Sequence, residues 1–189
     1  MHRIGVLGLQ GDYDKHRSML ASLGVTAEVV VDRKDIERID GLIIPGGEST
    51  TMGKLLVSFD LLETLRRRIE GGMPVFGTCA GMILLAGSIE ASDQPRIGLL
   101  DVQVNRNAYG RQIASFEADI RVAFGDGPVR GVFIRAPIVT KVGSDVEVLG
   151  EFENRPVLVR QGSMLASSFH PELTEDTRVH EYFLSLLGN

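Results

Sequence analysis

The sequence predicts an α/β fold: a three-layer sandwich whose mostly parallel central sheet is covered by helices on both faces. Short β-branched runs alternate with helical patterns in the first half of the chain, and the connections between them are short. Residues 99–169 are strand-rich, which predicts antiparallel strands in the C-terminal half. No repeat, low-complexity tract or linker divides the chain, so residues 1–189 are expected to form a single domain.

The first four predicted elements are a strand, a helix and two further strands. The run "RIGVLGL" (residues 3–9) predicts a buried strand, and a helix follows that Asp14 would cap and Gly24 would end. The runs "TAEVVV" (residues 26–31) and "GLIIP" (residues 41–45) predict the next two strands.

The middle of the chain predicts two helices around a fourth strand. The first helix is marked by apolar residues at helical spacing and closed by Gly71-Gly72; these residues are Leu61, Leu62, Leu65 and Ile69. The strand "MPVFG" (residues 73–77) comes next. The run "AGMILLAGSI" (residues 80–89) is apolar on nearly every side and predicts a buried helix.

The C-terminal half predicts six strands and a final helix. The strands are "LLDVQV", "FEADIRVAF", "VRGVFI", "VEVLGEF", "PVLVRQ" and "MLASSF", with a hairpin at Gln161-Gly162-Ser163 between the last two. The helix would be capped by Thr174 and helped by Glu175 and Asp176 at its positive end. Its apolar face has helical spacing: Val179, Tyr182, Phe183, Leu186 and Leu187.

Composition and charge exclude several classes of function. The net charge of −5 argues against a general nucleic-acid surface, and the basic run at residues 66–68 fits the solvated face of a helix. A single cysteine cannot form an internal disulfide. The N-terminus lacks the apolar core of a signal peptide, and no apolar run is long enough to span a membrane. We therefore expect a cytoplasmic protein with no membrane or nucleic-acid partner.

The single cysteine lies in "GTCAG" (residues 77–81), which has the G-x-nucleophile-x-G form of a strand-to-helix elbow. Such a turn raises its central side chain above the C-terminal edge of a sheet, where open α/β folds bind ligands. The following helix dipole favours a thiolate there. Because free cysteines are also common buried residues, this segment alone leaves open whether Cys79 is a nucleophile or a core residue.

A nucleophilic thiol needs a base, and "FHPE" (residues 169–172) offers one. Glu172 follows His170 by two residues, and in extended backbone both side chains would point to the same side. The alternative is a pair on an exposed loop. The other histidines are expected at terminal, surface or satisfied helix positions: His2, His16 and His180. A lone H-x-E offers too few ligands for a metal, so none is expected.

A third motif, "PGGEST" (residues 45–50), follows a predicted strand and precedes a helix-like stretch, "TMGKLL" (residues 51–56). It is not a phosphate-binding loop, because Gly53-Lys54 is followed by leucine. Paired glycines allow a backbone N–H to point at a carbonyl oxygen, which is what an oxyanion hole requires. An ordinary glycine turn remains the alternative.

In this order the three motifs resemble those of the triad-type (class I) glutamine amidotransferases, which have a flavodoxin-like fold. Within that group the chain is most similar to the glutaminase subunits of pyridoxal 5′-phosphate synthase complexes. The resemblance covers nearly the whole chain, through "GVLGLQGD", "IIPGGESTTMGKLL", "PVFGTCAGMILLA", "GLLDVQVNRNAYGRQIASFEA", "GVFIRAP" and "SFHPEL". The segments "PGGEST" and "NRNAYGRQ" are specific to this branch.

The resemblance implies hydrolysis of glutamine by a catalytic triad of Cys79, His170 and Glu172, without a cofactor. Backbone N–H groups of Gly47 and Ala80 would form the oxyanion hole, and the loop of Gln10 would complete it when the partner binds. The implied contacts to L-glutamine are Gly47, Glu48, Ser49, Arg106, Ile134 and Arg135. Without the resemblance, the two arginines would be read as members of surface ion pairs.

The resemblance also implies a partner. The chain has no room for an ammonia-acceptor site, so a separate synthase (lyase) subunit would receive ammonia in a hetero-oligomeric complex and use it to make pyridoxal 5′-phosphate. Two alternatives remain open from the sequence. One is a glutaminase that serves another acceptor, such as imidazole glycerol phosphate synthase. The other is a non-catalytic regulatory module of the same fold.

Overall fold

The computed structural model describes residues 2–106 and 115–188, and within them it forms a nine-stranded mixed sheet and a separate three-stranded sheet. The strands are β1 (Ile4–Leu7), β2 (Ala27–Val30), β3 (Gly41–Ile44), β4 (Val75–Thr78), β5 (Ala86–Ile89), β6 (Leu100–Asn105), β7 (Ser115–Val122), β8 (Val129–Ile134), β9 (Ile138–Val142), β10 (Glu147–Phe152), β11 (Arg155–Gln161) and β12 (Met164–Ser167). The helices are α1 (Tyr13–Ser22), α2 (Arg33–Arg38), α3 (Ser49–Ser58), α4 (Leu62–Glu70), α5 (Ala80–Leu85) and α6 (Arg178–Ser185), and a short 3-10 helix spans Pro171–Leu173.

The large sheet has the strand order β2-β1-β3-β4-β12-β11-β10-β7-β8. Its first five strands are parallel and the remaining ones pair antiparallel, which confirms the predicted architecture. The pairing of β4 with β12 matters most for function, because Thr78 lies beside Ser167. The segments that leave these two strands, carrying Cys79 and His170, therefore emerge side by side at the C-terminal edge of the sheet.

Two apolar clusters cover the two faces of the large sheet. Residues of β3 alternate between them: Leu42 and Ile44 belong to one cluster and Ile43 to the other, as the pleat of a strand requires. The helices α2 to α5 and the three-stranded sheet (order β5-β6-β9) contribute to the first cluster. The helices α1 and α6 contribute to the second through Leu20 and Phe183. Helices therefore lie on both faces, as predicted.

The predicted helix at residues 80–89 is wrong in its second half. Helix α5 ends at Leu85, Ala86 is extended with φ −56° and ψ 136°, and residues 86–89 form strand β5. Strand β5 pairs with β6, with Ala86 opposite Leu100. Gly87 weakens a helix at this point, and the long-range ladder supplies the backbone partners that a helix would otherwise provide.

The predicted caps of two helices are also wrong. Asp14 lies inside the first turn of α1, where it accepts a hydrogen bond from Arg17, and Asp12 holds the N-cap position. Thr174 follows the 3-10 helix instead, and its hydroxyl donates to the carbonyl of Pro171. Helix α6 begins only at Arg178, with Thr177 at its N-cap position.

Other turn predictions are confirmed, and two elements were missed. Gly24 follows α1 with φ +74°, and Gly162 turns the β11–β12 hairpin with φ +57°. Helix α2 begins with a capping box of Asp32 and Asp35, a signal that "DRKD" carries in the sequence. Strand β9 was also missed.

Within the described residues, no helix is both long and apolar enough to cross a membrane.

Candidate active site

Cys79 lies at the sharp turn between β4 and α5, as the elbow motif predicts. Its backbone has φ +50° and ψ −102°, which is a strained conformation for a residue with a Cβ. The flanking glycines make the turn possible. A Cβ on Gly77 would lie 2.6 Å from the carbonyl carbon of Gly81, and one on Gly81 would lie 2.2 Å from the carbonyl oxygen of Ile44. A strained backbone at a cavity wall is typical of a functional residue.

Cys79 is only 7% exposed, yet it lines a cavity. Its Sγ lies 3.9 Å from the carbonyl oxygen of Ile134, at the end of β8. Its backbone N–H donates to the carbonyl of Ser167 over 2.8 Å, so the elbow is fixed against strand β12. The side chain of His170 lines the same cavity as that of Cys79.

His170 lies between the cysteine and a buried carboxylate. Its Nδ1 donates to Glu172 Oε1 over 2.8 Å, and its backbone N–H donates to the carbonyl of Val132. The pairing of His170 with Glu172 was predicted, but its geometric basis was wrong. Residues 171–173 form a 3-10 turn with Pro171 at its start, and this turn, not an extended strand, brings the carboxylate under the ring.

The charges of this pair stabilise each other. Burial would lower the pKa of His170, but its hydrogen bonds and attraction to Cys79 and Glu172 raise that pKa to about 10 from its ordinary value of 6.5. Burial would raise the pKa of Glu172, but the nearby His16 and His170 hold it well below its ordinary value of 4.5. At neutral pH the site therefore holds a protonated imidazole against an ionised carboxylate.

Two further histidines lie behind Glu172. His16 on α1 and His180 on α6 are fully buried, and His16 Nδ1 lies 3.0 Å from His180 Nε2. His16 Nε2 lies 3.4 Å from Glu172 Oε1 and 3.2 Å from Thr78 Oγ1. A surface position, one of the two expectations for these histidines, is therefore wrong. Their separation of 164 residues left no signal in the sequence.

The glycine motif forms the wall opposite the imidazole. A Cβ on Gly46 would lie 2.3 Å from His170 Cε1, so the backbone approaches the ring as only glycine allows. A Cβ on Gly47 would lie 2.5 Å from Gln10 Oε1. That oxygen accepts a hydrogen bond from the backbone N–H of Glu48 over 2.8 Å. Ala80 is the first residue of α5, where backbone N–H groups have no partner within the helix.

Glu48 and Arg106 face each other at the cavity rim, with Arg106 Nη2 donating to Glu48 Oε1 over 3.1 Å. Glu48 caps α3, and hydrogen bonds led by the Thr51 hydroxyl lower the pKa of Glu48 to about 2. Arg106 Nη1 donates to Thr50 Oγ1 and to Gln94 Oε1. Gln94, a buried side chain that the motifs did not single out, therefore fixes the position of the guanidinium.

One cavity of about 430 Å³ brings together most of the predicted site residues. It is lined by Gln10, Gly47, Glu48, Ser49, Cys79, Ile83, Arg106, Ile134, Arg135 and His170. Ala80 follows Cys79 in the chain, and Glu172 is hydrogen-bonded to His170. Ile83 also lines the cavity, and the sequence motifs did not predict it. Arg135 has φ +44°, a second strained residue at this cavity. Of the branch-specific "NRNAYGRQ" segment, residues 107–112 lie outside the described residues.

No group of three or more His, Cys, Asp or Glu side chains in residues 2–106 and 115–188 is arranged to hold a metal ion. The side chains that line the cavity include a thiol, an imidazole, a carboxylate and two guanidinium groups. A strand-to-helix cysteine beside a histidine–glutamate pair, above a doubly covered α/β sheet, is the arrangement of the triad-type glutamine amidotransferases.

The chain belongs to the SNO glutamine amidotransferase family, whose model matches residues 6–188. It is 54% identical to the pyridoxal 5′-phosphate synthase subunit PdxT of Moorella thermoacetica, over 98% of this chain and 100% of that protein. It is 56% identical to the subunit of the same name from Thermus thermophilus, over 98% of this chain and 97% of that protein. A crystal structure described as a glutamine amidotransferase has a TM-score of 0.94 at 52% identity and covers 98% of this chain and 99% of its own.

Proposed function

We propose that this chain hydrolyses L-glutamine to L-glutamate and ammonia through a thioester on Cys79, and that it supplies the ammonia to a separate synthase subunit that makes pyridoxal 5′-phosphate. In this proposal residues 1–189 form one glutaminase domain. The observation that carries it is His170, which lines a cavity of about 430 Å³ together with Cys79 and is hydrogen-bonded to the buried Glu172.

The triad would work by moving one proton. The Cys79 thiol gives its proton to His170, whose imidazolium form the site favours, and Sγ then attacks the side-chain amide carbon of glutamine. The C–N bond breaks, ammonia leaves with the proton from His170, and a γ-glutamyl thioester remains. Water then attacks the thioester while His170 accepts its proton, the C–S bond breaks, and glutamate is released as Sγ regains a proton. Glu172 keeps the His170 ring oriented and stabilises its positive charge.

The two ends of the substrate would be held by opposite charges. Glu48 suits the α-ammonium group, and Arg106 and Arg135 suit the α-carboxylate because a guanidinium can bind it with two hydrogen bonds. Ser49 and Ile134 would complete the contacts along the cavity wall. Backbone N–H groups of Gly47 and Ala80 would stabilise the negative charge that develops on the amide oxygen.

The partner would control the oxyanion hole. Gln10 Oε1 accepts a hydrogen bond from the backbone N–H of Glu48. It lies so close to Gly47 that a Cβ added there would be 2.5 Å away. A carbonyl oxygen in that position repels a negatively charged oxygen, so we propose that docking of the synthase subunit moves the Gln10 loop. Relatives at 54% and 56% identity are named as pyridoxal 5′-phosphate synthase subunits, which supports such a partner.

The test is a glutaminase assay with and without the synthase subunit. The chain alone should release glutamate slowly, and release should rise when the synthase is added. Cys79→Ala should abolish release while sedimentation of the mixture still shows the complex. Intact-mass measurement on wild type with glutamine should show the γ-glutamyl adduct on Cys79. Equal rates with and without the synthase contradict the coupling, and near-normal turnover by Cys79→Ala contradicts the nucleophile.

A cytoplasmic location is part of the proposal. Cys79 is the only cysteine of the chain, and it must stay reduced to act as a nucleophile.

A further inference from the structure

The catalytic carboxylate has a second buried imidazole beside it. Glu172 Oε1 lies 2.8 Å from His170 Nδ1 and 3.4 Å from His16 Nε2. Its other oxygen, Oε2, is buried and has no hydrogen-bond partner among the described residues. Both side-chain contacts that fix the carboxylate are therefore made to Oε1. One comes from His170, and the other comes from His16, which is not a member of the triad.

The surroundings of His16 determine which of its nitrogens carries hydrogen. His16 Nε2 lies 3.2 Å from the hydroxyl of Thr78 and 3.4 Å from Glu172 Oε1. The hydroxyl can donate or accept, but the ionised carboxylate can only accept, so an attractive contact with Glu172 requires hydrogen on His16 Nε2. His16 Nδ1 faces His180 Nε2 at 3.0 Å, and one hydrogen lies between those two nitrogens. A neutral His16 with hydrogen on Nε2 accepts at Nδ1 from the N–H group of His180 Nε2.

We propose that His16 is a positioning residue for the triad: it holds Glu172 in the orientation that anchors His170, and His180 fixes the ring of His16 from behind. The catalytic part of this inference rests on the proposed glutaminase function. The hydrogen-bond chain itself does not, and it can be measured without glutamine.

Packing makes His16 rigid enough for this role. Its ring makes an edge-to-face contact with Phe76, whose centroid is 6.3 Å away, and Phe76 makes a similar contact with His180 at 5.6 Å. Both imidazoles are fully buried between α1, α6 and the sheet. A buried side chain with fixed neighbours can hold a hydrogen-bond partner at a defined angle, which a solvated histidine cannot do.

The charges around Glu172 agree with this arrangement. Burial raises the pKa of Glu172, and His16 is the strongest of the influences that lower it. Burial, with His16 nearby, lowers the pKa of His180 to about 3, so His180 contributes a hydrogen bond without a second positive charge. The groups that contact the carboxylate are His170 from its own segment and His16 from α1, with His180 from α6 and Thr78 from β4 in contact with His16. On the outer side, Lys15 and Glu175 line a neighbouring cavity.

Three substitutions separate a positioning role from a packing role. His16→Leu keeps a buried side chain but removes the N–H group. His16→Gln keeps an amide N–H at the distance of the imidazole Nε2. His180→Phe retains the aromatic contact with Phe76 and removes the support behind His16. His2→Gln is the matched control, because His2 is exposed and its ring contacts only Gly188 and Asp40 among the contacts described.

The first measurement is NMR of ¹⁵N-histidine-labelled full-length chain. In wild type we expect His16 with hydrogen on Nε2, and a strongly deshielded Nδ1 proton on His170 from its bond to Glu172. That proton signal should shift upfield or disappear in His16→Leu and return in His16→Gln. A wild-type spectrum with bare Nε2 on His16 overturns the inference, even if His16→Leu fails to fold and even if the chain proves not to hydrolyse glutamine.

The second measurement is steady-state glutamate release by the complex with the synthase subunit. We expect His16→Leu to lower kcat about tenfold or more with KM for glutamine within about twofold, because orientation of the base matters in the chemical step. His16→Gln should recover to within about threefold of wild type, and His180→Phe should show an intermediate loss. A folded His16→Leu with normal kcat, or equal losses in His16→Leu and His16→Gln, overturns the inference.

Discussion

Glu48 and Arg106, which are expected to hold opposite ends of a bound amino acid, are paired with each other across the cavity rim, 3.1 Å apart. Half of the Glu48 side chain and more than a quarter of the Arg106 side chain remain exposed. An ion pair this open contributes little to stability. It can therefore be exchanged for the ammonium and carboxylate of a ligand at small cost, while Thr51 and Gln94 keep both side chains in place.

This exchange predicts the effect of Arg106→Gln. Loss of a charged hydrogen bond to the substrate carboxylate costs about 1.5–3 kcal/mol, so KM for glutamine should rise about 10- to 100-fold. The chemical step is untouched, so kcat should stay within about threefold. Initial rates of glutamate release across glutamine concentrations measure both values. Arg130→Gln, which breaks an exposed pair with Glu117 and Asp119, is the control and should leave KM unchanged. An unaltered KM in Arg106→Gln excludes this role.

The close approach of Gly46 to the catalytic imidazole predicts a loss of activity in Gly46→Ala. The added Cβ would lie 2.3 Å from His170 Cε1, and the ring must move away from Cys79 to avoid it. We expect kcat to fall at least about 100-fold, since small displacements of a catalytic group have effects of that size. Gly71→Ala is the control, because Gly71 ends α4 with an ordinary φ of −73°. Normal turnover by folded Gly46→Ala would show that the ring tolerates displacement.

The strained backbone of Cys79 predicts an order of stability among inactive variants. At φ +50° a residue with a Cβ is strained by about 1–3 kcal/mol, which glycine relieves at an entropic cost of roughly 0.5–1 kcal/mol. Cys79→Gly should therefore melt about 2–4 °C above Cys79→Ala, although neither releases glutamate. Differential scanning calorimetry decides the order. A higher melting temperature for the alanine variant would mean that the elbow is not strained.

The charges of His170 and Glu172 predict a pH-dependent stability. The raised pKa of His170 means that its contribution is complete below pH 6.5 and is lost as pH rises through about 10. The lowered pKa of Glu172 means that its contribution is complete above pH 4.5 and is lost at lower pH. The charged pair of His170 and Glu172 therefore stabilises the fold most between pH 4.5 and pH 6.5.

Glu172→Gln tests this window. Its melting temperature should lie about 5 °C or more below wild type near pH 5.5, and the difference should shrink as pH approaches 10. The exposed carboxylate of Glu175 provides the control, and Glu175→Gln should follow wild type at every pH. A difference that stays constant from about pH 5 to pH 10 would contradict an ionic contribution from the pair.

The parts of the fold that could be predicted are those with local causes. The strand runs "GLIIP" and "VRGVFI" lie at or within a residue of β3 and β8 because β-branched residues favour a pleated buried surface. The elbow at Cys79 was predictable because a turn of that sharpness needs glycine on both sides, and each requirement is visible within five residues. The helix at residues 80–89 failed because its second half is decided by pairing with β6, a partner that local pattern does not reveal.

By itself the sequence determined most of the strands and helices, the elbow at Cys79, the glycine motif and the histidine–glutamate pair, since each depends on neighbouring residues. Only the tertiary structure decided that β12 lies beside β4, which brings the cysteine and its base together across 91 residues (170 − 79). It also decided that His16 and His180, 164 residues apart, meet behind the catalytic carboxylate. Contacts at that separation arise from the pairing of strands and the packing of helices, so no local motif can record them.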